Sequence, residues 1–310
     1  MLRRRDLLAG FAVGAAGAAA PQGAAVRFPF TAAAVGQWTA IAANGFADPV
    51  PGFIYDGGEL RSGLPLGGLG TGYFTIEGNG QIGVSSIFGD LVPPKPVHAD
   101  WLTIESGTRA IPLSAARIQF WGHYPIADLH AELPEIPLTL GIRAVAPFIP
   151  GDAAVSNTPA AIFEIDATNH GVDPLRISLR LRFPAPPKGG SFALRAQSAK
   201  ESNGAHTVEL DLAPGAGRRV TVAVGWSFPS WRDSSSELHV NRYSQRFASA
   251  DQAAAFALDN APNLIRRVCA WQAAIYRASL PPWLRDALVQ GLYSLAKNSV
   301  WIARTRADEW

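Results

Sequence analysis

Cysteine is nearly missing from this chain of 310 residues: Cys269 stands alone. An intramolecular disulfide is therefore excluded, and with it the small secreted folds that rely on disulfide staples. Charge is scarce as well, at 17% of residues, and the formal net charge is only +2. Arg3, Arg4, Arg5 and Asp6 together supply that +2 (three minus one), so the remainder is close to neutral. No basic stripe interleaved with aromatics is present, which argues against nucleic acid as a partner. No apolar run reaches the roughly 20 residues of a transmembrane helix. There is no Gly-x-Ser-x-Gly elbow for a serine nucleophile. No pair of carboxylates stands out as acid and base, and no ligand spacing calls for a metal or another cofactor.

What is abundant points to a globular body. Apolar residues make up 48% of the chain, enough for a substantial core. The 24 prolines and 30 glycines are scattered, as suits many turns between short strands. From about Trp38 to Trp226 the apolar residues repeat with period two. In Leu175 to Phe183, Leu175, Ile177, Leu179, Leu181 and Phe183 alternate with Arg176, Ser178, Arg180 and Arg182. Such alternation marks an antiparallel strand with one buried face. It recurs in Leu138–Ala144, Ile162–Ala167, Val208–Leu212 and Val220–Trp226. Turn formers lie between, at Asn169-His170-Gly171, Ser202-Asn203-Gly204 and Pro214-Gly215. The expected fold is mainly β, a large antiparallel β-sandwich over residues 26–248.

Helical patterns follow. Ser249 with Gln252 three residues on reads as a capping box. A second helix is predicted from Pro262, with Leu264, Val268, Trp271 and Ile275 on one face. A third is predicted from about Pro282, with Leu284, Leu288, Leu292 and Leu295 aligned and Trp301 and Ile302 continuing the apolar content. Two or three such helices must dock on the sandwich or open a larger helical unit over 249–310.

Residues 1–25 read as a signal peptide. Arg4 and Arg5 precede Asp6-Leu7-Leu8 and a Gly/Ala-rich apolar stretch ending near Ala20, which resembles a twin-arginine export signal. The expected location is periplasmic or extracellular, with export directed by Arg4 and Arg5.

Several residues invite a functional reading. The run Gly63 to Phe74 contains Gly67, Gly68, Gly70 and Gly72. A glycine loop cradles phosphate when a helix follows it; here the strand-like Tyr73 to Ile76 follows, so a structural loop is expected, with positive φ and close backbone approach. His123, Asp128 and His130 lie close in sequence and would suit a metal, but further ligands are lacking, so hydrogen-bonded residues are expected. Trp101, Trp121, Trp226 and Trp231 could stack on sugar rings, although aromatics in a sandwich are more often core. Cys269, within an Ala-rich helical pattern, reads as a small core residue.

The motifs together resemble a known family. Pro65-Leu66-Gly67-Gly68-Leu69-Gly70-Thr71-Gly72 is similar to a loop near the start of glycoside hydrolase family 116, which includes the non-lysosomal glucosylceramidase, or bile-acid β-glucosidase. Gly122-His123-Tyr124-Pro125-Ile126-Ala127-Asp128 resembles its Tyr-Pro-x-Ala-Asp stretch. Ala146 to Pro150, Pro159 to Glu164 and Ser279 to Leu288 resemble further family segments, in the same order. The resemblance implies an amino-terminal sandwich followed by an (α/α)6 barrel, of which 249–310 would be linker helices and the opening part. It implies retaining hydrolysis of β-glucosides or glucolipids by two barrel carboxylates placed beyond the point matching Trp310. No catalytic residue is therefore assigned within this chain. The competing expectation is a stand-alone carbohydrate-binding or interaction sandwich.

Overall fold

The computed structural model describes residues 29–30, 35–60, 62–87, 94–184 and 189–303. Arg4, Arg5 and the signal-peptide reading lie outside the described residues.

Two antiparallel sheets form the body. The larger has seven strands, in spatial order Ser191–Ala196, Gly217–Ser227, Ala160–Asn169, Leu138–Val145, Ile126–Leu133, Arg117–His123 and Tyr55–Asp56. The smaller has five: Lys200–Ser202, Ala205–Leu212, Leu175–Leu181, Leu102–Ser106 and Arg109–Pro112. Leu129, Leu140, Ile165 and Val222 of the first sheet share one core with Ile104, Ile177, Leu179 and Leu210 of the second. The period-two pattern thus folds as expected: Ile177, Leu179 and Leu181 turn inward while Arg176 and Arg180 stay exposed. Asn203 and Gly204, both with positive φ, close the Lys200–Ser202/Ala205–Leu212 hairpin. A four-stranded sheet, Leu64–Leu66, Phe74–Ile76, Ile82–Ser85 and Lys95–Ala99, adds Leu66, Phe74 and Ile76 to the same core.

Helices cover the other face of the seven-stranded sheet. A short α1 spans Ala153–Ser156, capped by the Asp152 carboxylate. Ser249 caps α2 (Ala250–Asp259), its hydroxyl accepting from the Gln252 amide while the Gln252 side chain accepts from the Ala248 amide. The inner face of α2 is Ala250, Ala253, Ala254 and Ala257. Gly225 lies beneath it, where a Cβ would meet the Ala254 amide nitrogen at 2.5 Å. Small residues on both sides let helix and strand approach this closely. Next, α3 (Ala261–Tyr276) buries Leu264, Ile265, Val268 and Cys269 against Ile126, Val145 and Ile162 of the sheet. Burying each aliphatic side chain of this size contributes about 1.5–3 kcal/mol. The seven-stranded sheet is covered on both faces, which explains its long apolar runs.

The third predicted helix needs correction. It is not continuous: α4 spans Pro282–Gln290, Gly291 follows, and a short α5 covers Tyr293–Asn298. Leu288 and Leu295 are exposed rather than aligned on a buried face. Gly291 weakens helix continuation, and beyond Ser299 the chain turns extended to meet the strand Leu238–Val240. The Arg242 amide donates to the Trp301 carbonyl, and the Ala303 amide to that of Val240. These bonds outcompete the local helical pattern. Among the described residues no helix is long and apolar enough to cross a membrane.

Candidate functional site

The glycine loop joins Leu64–Leu66 to Phe74–Ile76, two paired strands, so no helix follows it. Three of its backbone donors are already spent. The Gly68 amide donates to Thr71 Oγ1 at 2.9 Å, that of Leu69 to the Ser156 carbonyl at 2.6 Å, and that of Gly70 to Ser299 Oγ at 2.8 Å. Its carbonyls are held too: Gly67 by the Tyr124 hydroxyl, Leu69 by the Asn157 amide, Thr71 by the Trp226 indole. The amides of Gly68, Leu69 and Gly70 are thus not free to cradle an anion.

The glycines answer a steric need. Gly70 and Gly72 have φ of +65° and +71°, a region that side chains strain. A Cβ on Gly68 would collide with the Ser156 carbonyl; one on Gly70 would meet Cβ of Trp301 at 2.5 Å. A Cβ on Gly67 would strike the Gly72 carbonyl, and one on Gly72 would approach Cα of Ile87 at 2.8 Å.

Two clefts flank the loop. One is bordered by Gly70–Tyr73, Ser86, Ile87, Trp231, Asn241, Lys297, Ser299 and Val300; the other by Ser62–Pro65, Phe120, Gly122, Gln290 and Tyr293. Lys297 sits 5.0 Å from the Tyr293 ring and 5.9 Å from that of Tyr73. Among the described residues, neither cleft is lined by a carboxylate. Each can present aromatic and hydrogen-bonding surface to a polar ligand.

The four tryptophans divide. Trp101, Trp121 and Trp226 are buried, and only Trp231 borders a cleft. Cys269 is buried, and burial pushes its thiol up to about 11, so it packs as a neutral core residue.

His123 and Asp128 do come together, without His130. Asp128 is fully buried and receives a two-pronged bond from Arg143, with Nε to Oδ1 at 2.8 Å and Nη2 to Oδ2 at 2.7 Å. His123 Nε2 lies 3.1 Å from the same Oδ2. Burial alone would raise the Asp128 carboxyl, but Arg143 and then His123 hold it below the usual carboxylate range. With a guanidinium on both oxygens, Asp128 is a poor metal ligand. His130 is half-buried, with its Nε2 4.0 Å from Glu132.

Arg143 was not singled out by motif, yet a visible signal exists. It interrupts an otherwise apolar strand, Leu138–Val145, and a buried arginine demands a carboxylate. Among the described residues, Asp233, Glu237 and His239 also converge, on the turn between Ser230–Arg232 and Leu238–Val240. There Asp233 is occupied in closing the turn, accepting from Ser235, Glu237 and His239.

The architecture is a two-sheet sandwich with helices docked on its outer face and a tied glycine loop at one end. Residues 63–186 match the family model described as beta-glucosidase 2, glycosyl-hydrolase family 116 N-term; this is what that stretch of the chain is similar to. No curated protein matches the chain. Among solved structures, one described as "Putative kojibiose phosphorylase from human microbiome" aligns at 12% identity and a TM-score of 0.38. The alignment covers 80% of this chain and 36% of that one. A score this low supports no inference about fold or function.

Proposed function

We propose that this chain is the sandwich portion of an exported retaining β-glucosidase of the glucosylceramidase type, and that these residues alone do not hydrolyse glycosides. The observation that carries the reading is the family match over residues 63–186. Two features of the structure agree with it. Retaining hydrolysis needs two carboxyl groups about 5–5.5 Å apart across the scissile bond, and among the described residues the clefts beside the glycine loop are lined by none. In addition, α4 and α5 expose Trp283, Leu288, Tyr293 and Leu295, an apolar surface suited to contact with further protein. A stand-alone sugar-binding sandwich is less well supported, because three of its four candidate tryptophans are core.

The test is an assay of purified residues 26–310 on an aryl β-glucoside at high protein concentration. No turnover is expected; turnover that follows the protein peak through purification would overturn the proposal. Export is checked separately by changing Arg4 and Arg5 together to Lys, which should retain the protein in the cytoplasm.

A further inference from the structure

His123 ends the strand Arg117–His123 and is fully buried. Its ring stacks on Trp121, with centroids 3.8 Å apart and planes at 16°. A neutral imidazole offers one donor and one acceptor. Around His123 both nitrogens face acceptors.

On one side, Nε2 meets Asp128 Oδ2 at 3.1 Å. The Arg143 fork keeps that carboxyl ionised, so it only accepts, and Nε2 must carry a proton. On the other side, Nδ1 lies 3.0 Å from Gln272 Oε1. The orientation of this amide is set by its other end. Gln272 Nε2 donates to the His123 carbonyl at 2.6 Å and to the Tyr124 carbonyl at 3.0 Å. A flipped amide would face both carbonyls with its own oxygen. Gln272 Oε1 therefore points at Nδ1, and as a carbonyl it only accepts, so Nδ1 must carry a proton as well.

We propose that His123 is held as a buried imidazolium, a bound proton that clips α3 to the sheet through Gln272. Opposing charges share its surroundings. Trp121, Asp128, Arg143 and Glu164 pair in succession across four neighbouring strands, on the face that α3 covers. Cys269, Gln272 and Tyr276 face the cluster from α3, and Phe46 packs 6.0 Å from the ring. The Asn44 carbonyl takes the remaining prong of Arg143. Burial has the largest influence and sets the His123 pKa below its ordinary value; Arg143 adds to that, while Asp128 and Gln272 push the other way. The bonding pattern decides for the cation, because deprotonation at Nδ1 would set two lone pairs against each other at 3.0 Å. The Trp121 face further favours a cation.

The sign of the pH effect follows. A proton held by these bonds against the pull of burial contributes stability that is complete below the ordinary histidine value of 6.5. The contribution is lost as pH rises through the folded value. A neutral buried histidine would give the opposite slope.

The experiment is NMR of the full chain carrying ¹⁵N-labelled histidine, with His123 assigned by its loss in His123→Gln. At about pH 7.5 both His123 ring nitrogens should be protonated and nearly equivalent. Gln272→Met should convert His123 to a neutral ring protonated at Nε2 alone, and Gln272→Glu should restore the cation. A wild-type His123 with one protonated nitrogen at that pH would overturn the proposal, and the wild-type spectrum decides even where the Met variant fails to fold. A cationic His123 in a folded Gln272→Met variant would remove the role given to Gln272.

Discussion

The helices α3 and α4 share a sequence pattern and differ in fate. Each opens with proline in its first turn and carries an apolar stripe. The first lays that stripe on the seven-stranded sheet, and Leu264, Val268 and Cys269 are all buried. The second buries only Val289 and leaves Trp283 58% and Leu288 46% exposed. An amphipathic pattern shows that a helix has a face to cover; it does not show what covers it. What separates these two is the surface within reach: α3 meets a sheet face of Ile126, Val145 and Ile162, whereas α4 lies against Val50–Phe53, Arg117–His123 and α3 and buries only Val289 there.

The comparison can be broken most forcefully at the charged row beneath α3. Asp128→Asn leaves Arg143 buried without its counter-charge, which should cost about 3–5 kcal/mol by chemical denaturation. A loss below about 1 kcal/mol would mean the row is more open to water than its burial implies. Next in size is a matched pair of truncations. Leu264→Ala on α3 should cost about 2–5 kcal/mol, and Leu288→Ala on α4 no more than about 0.5 kcal/mol. Equal effects would erase the distinction between the helices.

The glycine loop should respond less than the core. Gly70→Val adds a branched side chain at positive φ against Trp301 and should cost about 1–3 kcal/mol; an unchanged melting temperature would refute the tight approach.

The smallest effect concerns Asp286 on α4, which burial pushes up to about 6. A carboxyl raised above its ordinary 3.8 is protonated in the fold while ionised in the unfolded chain. Its contribution is complete below 3.8 and fades as pH rises through about 6. Protection of α4 should therefore be greater at low pH than at neutrality, and Asp286→Asn should flatten that dependence.

Much of the sandwich was legible because its code is local. Ile177, Leu179 and Leu181 against Arg176 and Arg180 declare a half-buried strand within a few residues. Ser249 and Gln252 declare the start of α2 equally locally. The tail was misread because its structure is not local: Trp301 and Ala303 bond to residues about 60 positions earlier, and no helical period records that. The Arg143–Asp128 pair, 15 residues apart across a hairpin, was visible only as a charge misplaced in an apolar strand. The steric demand on Gly68 comes from Ser156, far along the chain, so the loop motif alone could announce glycine but not its neighbour.

Native-state hydrogen exchange tests the contrast most directly, because it reads each helix within one molecule. The amides of Leu264 to Gln272 in α3 should exchange only with global unfolding, at the same free energy as those of the strands Ile126–Leu133 and Leu138–Val145. The amides of α4 and α5 should exchange orders of magnitude faster, through local opening. Equal protection in all three helices would contradict the account, since it would require that the face bearing Trp283, Leu288 and Leu295 is already covered.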